Sequence, residues 1–441
     1  MVKYGSVPVP APRIPSAPAW LFIVTGIPYG VGGSFGGAVM PYLARRAGIE
    51  LDAIGWFGTL VLVPPMLQFL YAPIVDVGLA RRHWLILVSV LGALCFFGAC
   101  LMPLPSGIVP FLALAVAGQL IGGLSGSCNG GLLATLIPDH LRGRASACLN
   151  IGNLSGGGLS AWLVIWMTGQ NFSPLVIATL LAAMMILPSL AVLIVVEPPR
   201  DASRRIADVF RSMLTDVRKI VLSRSGATGI LLCLSPVGTA ALANYFSGMA
   251  VDYGASDALT AFVSGPANVV LTAVGALAGG FLCDRYNRRL LYLLSGLLTA
   301  LCGIAMVLSP RSDMTYLWGV TTYALITGFC YSAFTATVLE TVGKGGEAAS
   351  TKYALFVAAG NAAIAYVGLA DTRFHDRYGV EGVVGSDAGL NILGVVVLGG
   401  IFAYLGYFKS LRHTPEMPPG PAAAAAPPAE LPTARVVRTP D

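Results

Sequence analysis

Two aspartates stand at the ends of apolar runs, each followed closely by paired arginines. The first stretch reads QFLYAPIVDVGLARR and holds Asp76, Arg81 and Arg82. The second reads GGFLCDRYNRR and holds Gly280, Asp284, Arg285, Arg288 and Arg289; Asp284 follows Asp76 by 208 residues. A carboxylate at the C-terminal end of a helix is poorly placed for that helix's own dipole, which is negative there. It is well placed to accept hydrogen bonds from the N-terminus of another helix, whose first amides lack partners. Guanidinium groups nearby can orient it through charge-assisted hydrogen bonds. The chemistry on offer is a latch between helices rather than bond-making. The plainer alternative is that these residues cap helices and fix topology.

The elements that carry them must lie in lipid. The 441 residues are 56% hydrophobic and only 11% charged, whereas soluble domains carry about 25% charged residues. A bilayer core needs about 20 apolar residues per helix. Twelve such runs begin near Ala19, Ile54, His83, Ile108, Ala145, Pro174, Gly226, Leu259, Leu290, Met314, Ser350 and Ala388. With both termini cytoplasmic, all but five of the 27 lysines and arginines fall on the inner side, the exceptions being Arg45, Arg46, Arg311, Arg373 and Arg377. That bias supports an N-in, C-in arrangement, and it accounts for the net charge of +6 without a nucleic-acid partner. The reading is an all-α integral membrane protein of twelve transmembrane helices in two pseudo-symmetric six-helix bundles.

The boundaries follow from composition. Residues 1–18 lack a signal-peptide pattern and read as a disordered lead. Residues 19–197 form the first bundle, 198–225 a cytoplasmic linker, 226–411 the second bundle, and 412–441 a solvated Pro/Ala-rich tail. In the linker, Ile206, Val209, Phe210, Met213, Leu214, Val217, Ile220 and Val221 recur at helical spacing. Basic residues largely occupy the other face. Such a helix either lies on anionic lipid or is a plain connection.

The loops repeat as the Asp–Arg stretches do. IPDHLRGRA, with Arg142 and Arg144, follows the fourth run, and VGKGGEAASTK follows the tenth. A constant offset between two six-helix halves marks a duplicated unit. Here the chain resembles the major facilitator superfamily, whose signature after the second span is Gly-x-x-x-Asp-Arg-x-Gly-Arg-Arg. Gly280, Asp284, Arg285, Arg288 and Arg289 match it, with Asn287 in place of the second glycine. The first copy is looser, with Ala72 for the leading glycine and Val77 for the first arginine. PDHLRGRA resembles the superfamily's Pro-acid-x-x-Arg-Gly segment. The resemblance implies that Asp76 faces the start of the eleventh span and Asp284 the start of the fifth, forming a cytoplasmic gate with Arg81, Arg82, Arg142, Arg144, Gly280, Arg285, Arg288 and Arg289. AIGWF, QFLYAPIVD and TGIPYG also look like the peptide–acetyl-CoA–drug transporter branch, which includes muropeptide permeases and siderophore importers. Gln68 stands where that branch carries a lysine. Asn153 and Leu154 stand where the muropeptide permease has a Tyr-Arg pair.

The apolar runs hold few charges. On this reading Asp76, Asp284 and Glu340 lie at inner ends, and the group from Asp371 to Asp387 lies at outer ends or in loops. Lys352, the deepest cation, snorkels to the inner surface. Uncharged polar residues remain: Tyr29, Gln68, Gln119, Asn129, Asn150, Asn153, Asn244, Tyr245, Asn268, Tyr331, Asn361 and Tyr366. Lipid offers them no partner, so they face one another, a backbone carbonyl or a cavity. As a set they suit a neutral or zwitterionic, partly apolar solute. Glycines recur every four residues from Gly118 to Gly130, and Gly152, Gly156 and Ser160 do the same, which suits close helix packing. Pro28, Pro64, Pro65, Pro73, Pro236 and Pro266 favour bends.

No Ser/His, HExxH or paired-carboxylate constellation points to an enzyme. The eight cysteines contain no CxxC pair and read as packing residues, so neither metal nor cofactor is expected. The reading is a monomeric secondary active carrier of a small-to-medium amphipathic solute in the cytoplasmic (inner) membrane. It works by alternating access, and the resemblance implies protons as coupling ion. The alternatives are a muropeptide or siderophore permease specifically, and a membrane sensor with a transporter-like shell.

Overall fold

The computed structural model describes residues 17–49, 51–197, 215, 217–218, 222–343 and 349–408. The described chain is helices joined by short turns. We number twelve segments in chain order. The six of the first half are α1 (Leu21–Arg46), the bent pair α2 (Trp56–Met66 and Gln68–Asp76), α3 (Arg81–Cys100), α4 (Ile108–Leu136), α5 (Asp139–Gly169) and α6 (Pro174–Ile194). The second half has α7 (Arg224–Leu234), α8 (Ala258–Cys283), α9 (Arg288–Leu308), α10 (Asp313–Val342), α11 (Ala349–His375) and α12 (Arg377–Tyr404). Ten of these are single helices long and apolar enough to cross a membrane, and the bent α2 makes an eleventh. Side chains such as Leu187 and Leu308 point outward and are 65% and 81% exposed, as suits a lipid-facing surface. The linker helix lies outside the described residues apart from Thr215, Val217 and Arg218, and so does the Pro/Ala-rich tail.

The bends have local causes. The halves of α2 meet at 45°, just after Pro64 and Pro65. Pro266 sits in a π-helical turn, Val263–Ala267, inside α8. A second π turn, Phe35–Val39, widens α1. Both are the single-turn bulges that long helices accommodate.

The two glycine stripes do different jobs. Gly118 and Gly126 in α4 leave room for the rings of Phe96 and Tyr29. Gly152 and Gly156 in α5 let the backbone of α1 approach at Ile23 and Ile27. One stripe seats aromatic side chains, and the other brings two helices into backbone contact.

Two segments depart from the sequence expectation. The seventh run was expected as one span from Gly226. Instead α7 stops at Leu234, and residues 235–240 are non-helical. Pro236 cannot donate to a helix. Gly238 and Ala240 adopt left-handed φ of +62° and +56°, a conformation that strains an alanine by about 1 kcal/mol. Side chains from three other helices take up the freed backbone groups. The Tyr366 hydroxyl donates to the Leu234 carbonyl at 2.7 Å, and the Tyr292 hydroxyl to the Val237 carbonyl at 2.6 Å. The Gly238 amide donates to Asn391 Oδ1 at 2.8 Å.

The twelfth run was placed from Ala388, but α12 begins at Arg377. Between Ala349 and Tyr404 only Gly379, at φ +63°, leaves helical geometry, and the chain reverses there. The polar residues between Glu381 and Asp387 disguised the first turns of a helix as a loop. Asp371 and Asp387 are consequently not at an exposed outer mouth; both are 0% exposed.

Asn391→Ala leaves the Gly238 amide in the α7 break without its partner. The purified protein is expected to lose about 1–3 kcal/mol of stability, read as a lowered thermal midpoint. An unchanged midpoint would show that this bond does not contribute to holding the break.

Candidate functional site: a latched face and a polar cavity

The α2–α3 and α8–α9 turns lie on one face of the molecule, against the starts of α11 and α5. The arrangement begins with helix ends. The first amides of α11 and α5 have no intrahelical acceptor, and each meets an aspartate from the opposite bundle. The Thr351 amide and the Thr351 hydroxyl both donate to Asp76 Oδ2 at 2.9 Å. The Gly143 amide donates to Asp284 Oδ1 at 2.7 Å, and the Arg144 amide to Asp284 Oδ2 at 3.2 Å.

The arginines divide differently in the two halves. Arg81 grips Asp76 within its own bundle, with Nη2 at 2.8 Å and Nε at 3.1 Å from Oδ1. Its Nε also reaches Ser350 Oγ across the interface at 2.8 Å. Asp284 takes its guanidinium from the other bundle, from Arg144 Nε at 2.8 Å. Arg288 turns instead to Asp139 at 3.1 Å, and Arg289 pairs with Glu340 at 3.1 Å. Arg285 lies over the Phe281 ring at 4.0 Å, and Arg82 donates to the Val195 carbonyl at 2.7 Å. Arg142 closes the cross-link by donating to the carbonyls of Leu339 and Gly343 at 3.1 and 2.9 Å. Removing one partner of the buried Arg81–Asp76 pair would strand the other charge, a loss on the order of 3–5 kcal/mol.

Glycine makes the approach possible. A Cβ on Gly280 would meet the Gly143 carbonyl oxygen at 2.6 Å, and a Cβ on Gly143 would press on Asp284 Oδ1 at 2.6 Å. The end of α8 and the start of α5 therefore touch through their backbones.

Beyond this face a cavity of about 80 Å³ opens between the bundles, room for several water molecules. The first bundle lines it with Tyr29, Gly126, Leu149, Asn150 and Asn153. The second contributes the α7 break through Gly238 and Thr239, together with Cys233, Tyr292, Cys330, Tyr331, Thr335, Tyr353 and Asn361. Asn150 ties the bundles together at this level, donating to the Tyr331 carbonyl at 3.1 Å and to Thr335 Oγ1 at 3.0 Å. Tyr353 sits two residues beyond Thr351, so the latch and the cavity wall share the first turn of α11. No lysine, arginine, aspartate, glutamate or histidine is among the lining residues.

The family model described as Major Facilitator Superfamily matches residues 21–368. The chain belongs to the major facilitator superfamily.

Solved structures of the superfamily share its fold at low identity. The proton:xylose symporter XylE, bound to 6-bromo-6-deoxy-D-glucose, is 13% identical with a TM-score of 0.66, over 87% of this chain and 94% of that one. The Escherichia coli fucose:proton symporter FucP is 14% identical with a TM-score of 0.65, over 87% and 98%. The human organic anion transporter TETRAN is 16% identical with a TM-score of 0.64, over 86% and 98%. A comparison with curated proteins found no match.

Within this superfamily fold, the twelve polar residues singled out in the sequence separate into three groups. Tyr29, Asn150, Asn153, Tyr331 and Asn361 line the cavity. Gln68, Gln119 and Asn129 instead bond helix to helix, donating to the carbonyls of Gly123, Gly32 and Thr25. Tyr245 and Tyr366 likewise donate to carbonyls, of Gly368 and Leu234. Asn244 and Asn268 are exposed outside the lining. Thr239, Tyr292, Thr335 and Tyr353 line the cavity without having been picked out. Thr335, Tyr292 and Tyr353 sit in long apolar helices without special spacing, Thr239 sits in the non-helical break after α7, and only the packing shows where they face. All eight cysteines are free. Among the described residues no group of His, Cys, Asp and Glu could hold a metal ion.

Gly280→Val forces α8 away from α5. Spin labels on His140 and Tyr286, on turns of opposite bundles, are expected to move to longer separations by double electron–electron resonance. An unshifted distance distribution would show that the glycine contact does not set this interface.

Proposed function

We propose that the protein is a secondary active transporter that carries a small uncharged or zwitterionic solute, bearing hydroxyl or amide groups, by alternating access. The observation that carries this reading is one arrangement: a polar cavity without charges lies between two bundles, and carboxylates meeting helix N-termini close it on one face. Contacts of that kind are made or lost as units, because each aspartate gives up several hydrogen bonds when the helix ends part. The excess of basic residues in the loops on the latched side supports that face as the cytoplasmic one, with both termini inside, in a carrier of the cytoplasmic membrane.

The hydroxyls of Tyr29, Thr239 and Tyr331 and the amide of Asn153 line the cavity and have no hydrogen-bond partner among the described residues. Buried polar groups seek partners, and a solute with donors and acceptors would supply them. The fold neighbours that carry xylose and fucose with protons support a hydroxylated solute and proton coupling. An anionic solute finds no cation in the lining. For the same reason a muropeptide or siderophore permease is the weaker reading. Gln68 is 1% exposed and committed to Gly123 and Ser127, with no cation in place of the branch's lysine.

A thermal-shift screen of sugars, peptidoglycan fragments, siderophores and drugs should raise the midpoint for the true solute by mass action. Reconstituted vesicles should then accumulate that solute, faster with an imposed pH gradient. Binding without movement into the vesicles would make the protein a sensor. In the same vesicles Asp284→Asn is expected to fold and to slow transport; transport at the wild-type rate would refute the latch.

Asn153→Leu and Tyr331→Phe are each expected to weaken solute binding by about 3- to 10-fold, the worth of one neutral hydrogen bond. Unchanged affinity in both would place the solute elsewhere.

A further inference from the structure

We propose that Asp371 and Asp387 form a buried proton-binding site in the second bundle, on the far side of the α7 break from the cavity. The two residues are 16 apart in sequence. In a continuous helix that spacing would separate them by about 24 Å, but the reversal at Gly379 brings α11 and α12 together. Ser386 Oγ then donates to Asp371 Oδ1, and the charge of Asp371 acts on Asp387. Both aspartates are 0% exposed.

The pair is incompletely satisfied. Asp371 Oδ2 and Asp387 Oδ1 are buried with no hydrogen-bond partner. Among the described residues neither aspartate has an arginine or lysine at ion-pair distance. The titratable groups on neighbouring elements that lie within electrostatic reach of the pair are Tyr245, ahead of α8, Cys302 on α9 and Tyr323 on α10. None of the three is a cation. Of the ionisable groups in the connecting stretch, Arg373, His375, Arg377, Tyr378 and Glu381 are exposed, Asp376 lies outside the described side chains, and Glu381 is engaged by Arg311 at 2.8 Å.

Two like charges in a medium without counter-charge are costly, and intramembrane acids of this kind carry protons in pumps and transporters. A proton on one aspartate removes a charge and gives the pair a donor it lacks. A metal cation suits the site less well. It would need oxygens turned inward, and the neighbours present hydrogens instead. The Tyr323 hydroxyl donates to Asp387 Oδ2 at 3.4 Å, and Ser386 donates to Asp371.

The position gives the proton a use. Asn391, one turn along α12, donates to the Asp387 carbonyl at 2.9 Å and accepts the Gly238 amide at 2.8 Å. Gly238 lines the cavity. One side chain thus separates the acid-bearing turn from the cavity wall. The purpose of the site rests on the carrier function proposed above, whereas its test does not.

Infrared spectra of the full chain in lipid, taken across pH, read the carbonyl stretch of a protonated carboxyl directly and need no solute. Wild type is expected to show this band at neutral pH and to lose it at alkaline pH. Asp387→Asn removes it, Asp387→Glu restores a shifted band, and Asp313→Asn at the exposed start of α10 leaves it as in wild type. Should Asp387→Asn fail to fold, Asp371→Asn and Asp387→Glu supply the comparison. Absence of the band from wild type at neutral pH overturns the proposal. Full wild-type intensity in both Asp387→Asn and Asp371→Asn also overturns it. A thermal midpoint raised by sodium chloride but not potassium chloride, and only with Asp387 present, assigns the pair to a metal cation and overturns it too. If the band behaves as expected while vesicles fail to transport, the site stands and the carrier reading falls.

Discussion

A hydrogen bond left unmade in lipid has no water to replace its partner, and this constraint organises the whole molecule. A continuous helix meets it internally except at its two ends and wherever it breaks. The candidate functional features of the structure lie at those exceptions. The N-termini of α5 and α11 expose amides, and aspartates from the opposite bundle accept them. The break after Leu234 exposes carbonyls and an amide, and Tyr366, Tyr292 and Asn391 take them up. Each solution reaches across from another helix, so each ties the position of one element to that of another.

The two latches are related but not identical. Both place an aspartate from the end of one helix against the start of another in the opposite bundle. Asp76 is buried and held by Arg81 from its own side, so its orientation is set within the first bundle. Asp284 receives its guanidinium from Arg144 in the opposite bundle, so its orienting partner is not held by its own side. Arg288, freed from Asp284, joins Asp139 and Glu340 to form a further cross-link. The repeat also differs in sequence at this point. The second copy has an arginine directly after the aspartate, where the first has Val77, and that arginine lies over Phe281 rather than on the carboxylate.

The cavity sits where these constraints meet. One wall carries the first turn of α11, whose amide is latched to Asp76. Another carries the α7 break, held by α9, α11 and α12. A solute bonding Tyr331 or Asn153 would therefore touch elements whose positions are already interdependent. Polar residues that look alike in sequence take unlike roles for the same reason. Gln119 faces a carbonyl of α1 and is consumed by it, while Asn153 faces open space and is not.

Hydropathy, the bias of basic residues and the repeated Asp–Arg stretches determine by themselves that this chain crosses a bilayer many times and is built from two related halves. These features are local: a bilayer selects runs of apolar residues, and a duplicated unit keeps its turns in register. The starts of most helices could be read for the same reason. The break in α7 could not, because Ser235–Ala240 is apolar enough to pass for a span and its irregular backbone is sustained only by side chains from other helices. The burial of Asp371 and Asp387 could not either. Hydropathy treats an acidic residue near a helix end as exposed, and only the reversal at Gly379, which packs α12 onto α11, takes both carboxylates away from solvent. Tertiary structure decided which polar groups are spent on neighbours and which remain unpaired, since that depends on what lies opposite each of them across the fold.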